Sequence, residues 1–184
     1  IFPNASKAGV VRELRCNGAS KFTAGANLLI EGIPSGTTIT LADGALVKVR
    51  AITVSQFKMT YSVSGTFTAT GTGFTDSQTA PATYTVTNGM VALHIPTTYG
   101  GSGGTISGTS NATTFTITGS PASIQPANSK LLSNLRGFDN GVASDVIAVI
   151  SGNTINLYVN VQNGAWTNSG NKYISTSEFF YTLV

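Results

Sequence analysis

One histidine, one cysteine and seven carboxylates are all the sequence offers for acid–base, nucleophilic or metal chemistry. His94 lies in "VALHIP", on a predicted strand between Ala92 and Pro96. A Ser-His-Asp arrangement could be assembled on paper from 19 serines, but no G-x-S-x-G elbow is present. Cys16, being alone, can form neither an intrachain disulfide nor a cysteine-based zinc site. It reads as a small buried apolar residue. Asp139 and Asp145 flank "NGVAS" and are the carboxylate pair to weigh for glycoside hydrolysis. That chemistry needs two carboxyls about 5–9.5 Å apart across a cleft. The plainer reading gives Asp139 an Asx-turn with Asn140-Gly141 and lets Asp145 start a strand. Asp43 and Asp76 read as turn residues, and no EF-hand loop or other metal pattern occurs. The expectation is a protein that is not an enzyme and holds no cofactor and no metal.

The elements that carry these residues follow from an unusual composition. Apolar residues make up 41% of the 184, enough for a core, but only 9% are charged, against about 25% in ordinary domains. Hydroxyls and amides fill the difference, with 27 Thr, 19 Ser and 14 Asn beside 21 Gly. Low charge and many β-branched and aromatic residues argue against disorder and for strands and turns. The net charge of +3 is uneven. Residues 1–58 hold seven bases and three acids, and residues 59–184 hold three bases and four acids. A soft boundary is placed near residue 58 on that step, giving a 1–58 attachment or stem region and a 59–184 β-domain. The bases are scattered with little aromatic interleaving, so no nucleic acid is expected as a partner. A basic first third suits an acidic protein neighbour better. No apolar run is long enough for a membrane span, and no signal-peptide pattern is read. A chain opening on Ile1 is expected to be a processed product or part of something longer.

"SKAGVVRELRCNG", 6–18, predicts a short helix, with Ser6 as N-cap, Val10, Val11 and Leu14 at helical spacing and Asn17-Gly18 as the stop. "TITLADGALVKV" predicts a hairpin about Asp43-Gly44. Ala45, Val47, Val49 and Ala51 form its apolar face, with Lys48 and Arg50 on the other. Beyond residue 59 alternation is dense. "MTYSVSGTFTAT" is a strand. "ATYTVTNGMVALHIP" is a hairpin about Asn88-Gly89. "TTYGGSGG", 97–104, is a Gly-rich loop. "NATTFTIT" is a strand, "SPASIQPA" a Pro-bounded loop, "DVIAVI" a buried run turned by "SGN" into "TINLYVNV". "NKYISTSEFFYTLV" is the closing strand. Turns every 8–12 residues or so point to an all-β fold, an antiparallel β-sandwich of jelly-roll type with a short N-terminal helix or hairpin attachment region.

The segments "TTFTITG" at 113–119, "PASIQP" at 121–126, the hairpin 147–158, and "GAWTNSGNK" at 164–172, followed by "FFYTL", together resemble the C-terminal domain of bacteriophage tail fibres and related virion spike and head-fibre proteins. The resemblance covers about 59–184. It implies a homotrimer on the virion surface that recognises a host-surface glycan or protein. Residues 1–58 would then contact other virion proteins. A structural capsid decoration without receptor binding is the alternative. Sugar recognition uses hydroxyls, amides and aromatic faces, and the composition suits it. The ligand-contact candidates are Tyr99, in the Gly-rich loop, and Trp166 with Asn163 and Asn168 in "NGAWTNSGN". Trp166 has a second reading, as a cap on the core with its indole N–H bonded to a loop carbonyl.

Overall fold

A computed structural model describes residues 8–97, 106–160, 162–175 and 178–184, apart from the side chains of residues 133–134. The fold is all-β and predominantly antiparallel, built on a large curled sheet. No α-helix occurs among the described residues. The chain divides into two compact units, one of Ile1–Ser64 with Thr85–Met90 and Val184, the other of Gly65–Tyr84 and Val91–Leu183.

In the first unit β1 (Val11–Arg15) pairs with β5 (Leu46–Ala51), and β5 with the first half of β6 (Phe57–Thr72). β2 (Ser20–Thr23) and β4 (Thr38–Leu41) make a small sheet of their own, and β3 (Leu28–Ile30) runs parallel to β6. The apolar alternation of β5 is realised: Val47, Val49 and Ala51 are buried, while Leu46, Lys48 and Arg50 are exposed. The charge step near residue 58 falls inside β6, which runs on past it without a break.

Two expectations are corrected here. Residues 11–15 form a strand rather than a helix. Val10, Val11 and Leu14 fit either period, but β-branched side chains lower the helical preference. Pairing from Val11↔Arg50 to Arg15↔Leu46 satisfies the backbone directly. Asn17-Gly18 remains a turn, with the Gly18 N–H donating to Asp43 Oδ1 at 2.7 Å. The second correction concerns Asp43-Gly44. It does turn the chain, with the Ala45 N–H donating to the Ala42 carbonyl at 3.2 Å, but the strands on either side do not pair with each other. β4 pairs with β2, and β5 with β1 and β6. A tight hairpin of type I′ needs positive φ at both central residues. Only Gly44 has it, at 79°, and Asp43 does not.

The large sheet runs in the order β15-β8-β7-β6-β10-β13-β12-β11-β14-β9, and most of these residues belong to the second unit. The strands are β7 (Gln78–Thr87), β8 (Met90–His94), β9 (Gly108–Thr109), β10 (Phe115–Thr118), β11 (Lys130–Asp139), β12 (Val142–Ser151), β13 (Thr154–Val159), β14 (Asn171–Ile174) and β15 (Glu178–Thr182). The "SPASIQPA" loop holds one 3-10 turn, Ala122–Ile124. Asn88-Gly89 and Asn140-Gly141 adopt positive φ at both positions (52° and 79°, 51° and 79°), the signature of the I′ hairpin turn. The sheet curls so that β15 returns beside β11. There the Tyr181 hydroxyl donates to the Ile124 carbonyl at 2.7 Å. Burial of that phenol in the interior pushes its pKa up.

The core of this unit is aromatic at its centre. Phe115 meets Phe74 and Trp166 edge-on, with ring centroids 5.0 and 5.2 Å apart. Ile117, Ile155, Leu157 and Ile174 are buried at alternating positions on β10, β13 and β14. Each such side chain contributes about 1.5–3 kcal/mol by leaving water.

Candidate functional site

The pleat sorts the residues of β11 and β14 onto two faces, because successive side chains point to opposite sides. The register pairs Phe138 with Tyr173 and Asp139 with Lys172. Thr109 of β9 pairs with Asn171. Phe138, Tyr173, Asn171 and Thr109 therefore share the outer face, joined by Asn140 from the hairpin turn. Asp139 and Lys172 point inward.

The outer face is hollowed into an open depression of about 560 Å³, lined by Thr109, Phe138, Asn140, Gly170, Asn171 and Tyr173. Two half-exposed rings form one wall. Phe138 and Tyr173 stack across the strand pair at 4.7 Å with only 16° between their planes. Amides and a hydroxyl form the other: the Thr109 hydroxyl donates to Asn171 Oδ1 at 3.1 Å, and the Asn140 N–H to the Asn171 carbonyl at 2.8 Å. Gly170 sits at φ 68° with its α-carbon against the Asn140 side chain. A Cβ there would collide with Asn140 Oδ1, so only glycine leaves this rim in place.

Beneath the floor lies the polar part of the core. Lys172 is fully buried, and its ammonium donates to the carbonyls of Ala112 at 2.9 Å and Thr114 at 2.6 Å. The Nζ lies 5.2 Å from the Phe74 ring centre and 5.8 Å from that of Phe115, within range of cation–π attraction. Burial pushes its pKa from 10.5 down to about 8, with the Asp139 carboxylate pulling the other way. Asp139 is itself buried. Oδ2 accepts from the Thr167 N–H at 2.9 Å and Oδ1 from the Thr167 hydroxyl at 2.6 Å. This replaces the Asx-turn expected of Asp139. The carboxylate spans inward to the "AWTNS" loop and ties it to the end of β11.

The same pleat separates the two carboxylates weighed for glycoside hydrolysis. Asp139 faces inward, whereas Asp145 pairs with Arg136 on the opposite face of the β11–β12 hairpin. They cannot flank one scissile bond. Asp145 also lies inside β12 rather than at its start. His94 Nδ1 is 2.8 Å from Glu178 Oε1, with both side chains about half exposed. Among the described residues no serine or cysteine hydrogen bonds to that ring. Cys16 is buried. Among the described residues no cluster of three potential metal ligands occurs, and no helix is long and apolar enough to cross a membrane.

Of the ligand-contact candidates, Tyr99 lies outside the described residues. Trp166 is only 2% exposed, and its indole N–H donates to the Leu157 carbonyl at 2.8 Å. A buried ring has no face to offer a ligand, so the platform reading of Trp166 gives way to the core reading. Asn163, at φ 58°, and Asn168 are exposed on the loop segments either side of it, and neither lines the depression. Phe138, Asn140, Asn171 and Tyr173 were not singled out by the sequence. Their signal is an aromatic and an amide two residues apart in both "FDN" and "NKY". It becomes meaningful only once the two strands are known to pair. Compared with known proteins, the sequence matches no family model and no curated protein.

Proposed function

We propose that the chain is a bacteriophage virion-surface protein whose β-domain binds a host-surface glycan. The observation that carries the reading is the depression on the outer face of β11, β14 and β9. An aromatic wall, two amides and a hydroxyl stand together there with no carboxylate in the lining, and the adjoining Asp139 is turned into the core. Aromatic faces take the C–H face of a sugar ring, and amides and hydroxyls take its hydroxyls. Without an acid–base pair the site binds and does not cleave. In this reading the protein acts as a homotrimer on the tail or capsid exterior, and residues 1–58 contact other virion proteins. Trimeric assembly would also cover strand edges that otherwise invite mispairing.

A second reading, a structural capsid decoration, is favoured by one observation. Many surface hydroxyls are spent on each other across strands: Thr23 with Thr38, Ser64 with Thr85, and Thr72 with Thr116. Such pairs stiffen a sheet without offering a ligand anything.

Titration of neutral bacterial-envelope oligosaccharides against the full chain, followed by NMR or calorimetry, separates the two. Tyr173→Ala is expected to abolish binding while leaving the fold intact, since a half-exposed cross-strand pair is worth about 0.2–1 kcal/mol. Binding that survives Tyr173→Ala would move the site elsewhere. No binding by the wild type to any oligosaccharide would favour the decoration reading.

A further inference from the structure

The exposed face of the first unit presents a different chemistry. The registers align Val11, Arg50, Lys58 and Leu29 in one row across β1, β5, β6 and β3. The next row holds Glu13, Lys48 and Thr60, and the next Arg15, Leu46 and Ser62. All the charged residues of these rows are exposed. Two of the four bases are neutralised locally, Lys48 by Glu13 at 3.1 Å and Lys58 by Glu31. The side chains of Arg15 and Arg50 have no acid partner among the described residues.

Arg50 also stands directly opposite Lys58. Like charges so placed repel each other; Glu31 offsets Lys58, while Arg50 has no such acid beside it among the described residues. Both line an open depression of about 540 Å³ with Gly9, Ala51 and Ile52. Beside it Val11, Leu29 and Ile52 are 40–48% exposed, and Leu46, further along the face in the row of Arg15, is exposed as well. The face thus combines two uncompensated guanidiniums with aliphatic side chains, and among the described residues its rows carry no aromatic ring of the kind that stacks on bases.

We propose that this face docks an acidic segment of a protein partner, with one carboxylate seated on Arg50 and a second on Arg15. A guanidinium grips a carboxylate through two parallel hydrogen bonds. The approaching anion supplies Arg50 with the acid it lacks, and the aliphatic side chains bury against the partner's apolar positions. The inference deepens the reading that residues 1–58 contact other virion proteins, and it is independent of the glycan site, which involves another unit, another ligand class and other residues.

The test uses the full chain and a fluorescent decapeptide of alternating Glu and Ser, read by anisotropy, with alternating Gln and Ser as control. The acidic peptide is expected to bind, and more weakly as salt rises, because exposed charges are screened. The double variant Arg15→Gln/Arg50→Gln is expected to lose about tenfold in affinity, the scale of one charged hydrogen bond. Arg50→Lys should lose less. Lys21→Gln, on the small β2–β4 sheet, should bind as the wild type does. Circular dichroism checks that each variant is folded. Failure of the wild type to prefer the acidic peptide, or equal binding by the double variant, overturns the proposal. Tighter binding to a DNA duplex than to the peptide, lost in the same variant, would replace the protein partner with nucleic acid. Tyr173→Ala should leave this binding untouched, which keeps the outcome separate from that of the glycan test.

Discussion

Lys172 should leave a signature in the alkaline stability of the protein. In the unfolded chain its amine titrates at the ordinary value of 10.5, and in the fold at about 8. Below pH 8 both states carry the proton, and the fold bears the full cost of a buried cation. Between pH 8 and 10.5 the folded amine is neutral while the unfolded one is still charged. The unfolded state then binds more protons, so stability rises with pH. The gap corresponds to up to about 3 kcal/mol at roughly 1.4 kcal/mol per pH unit. Two buried phenols act in the opposite sense. Tyr61 and Tyr181 both have raised pKa values, so above pH 10 the unfolded chain loses its phenolic protons first and stability falls. The expected profile climbs from pH 8 to about 10 and declines beyond. Urea unfolding at half-unit steps from pH 7 to 11 measures it. Lys172→Met leaves the Ala112 and Thr114 carbonyls without their donor and should lower stability at every pH. It should also flatten the rise between pH 8 and 10, and that slope is the diagnostic. A wild-type profile without the rise would mean that the ammonium is solvated, and the account of the floor beneath the cleft would fail.

Trp166→Ala should cost about 3–5 kcal/mol, as truncation of a large buried aromatic does. Trp166→Phe, which keeps a ring against Phe115 but loses the bond to the Leu157 carbonyl, should cost about 1 kcal/mol for that bond, with some further loss for the smaller ring. Thermal or urea unfolding distinguishes the two variants, and a Trp166→Ala protein of wild-type stability would contradict the burial of the indole. For the proposed trimer, sedimentation equilibrium of the full chain at micromolar concentration should return three times 18.9 kDa, and a stable monomer would count against it.

Much of this architecture was legible in the sequence wherever the signal was local. The alternation in "ALVKVRA" correctly assigned Val47, Val49 and Ala51 to the inside, because side-chain direction in a strand depends only on the parity of position. Asn88-Gly89 made its hairpin because both residues tolerate the positive φ that a I′ turn demands. The poverty of charge and the wealth of hydroxyls announced strands with a neutral surface. Pairing was another matter. Nothing within "TITLADGALVKV" says that β4 joins β2 while β5 joins β1 and β6, since the choice rests on residues far away in the chain. Residues 11–15 read as a helix for the same reason: their strand exists because β5 offers an edge to it. The cleft was equally hidden. Phe138 and Tyr173 are unremarkable in their own segments, and only the register that sets them opposite each other makes a stacked pair. That register also turns Asp139 inward, away from Asp145, and buries Lys172 beneath the floor. Parity assigned each residue a side of its own strand, but the neighbour it meets there was decided by the tertiary structure.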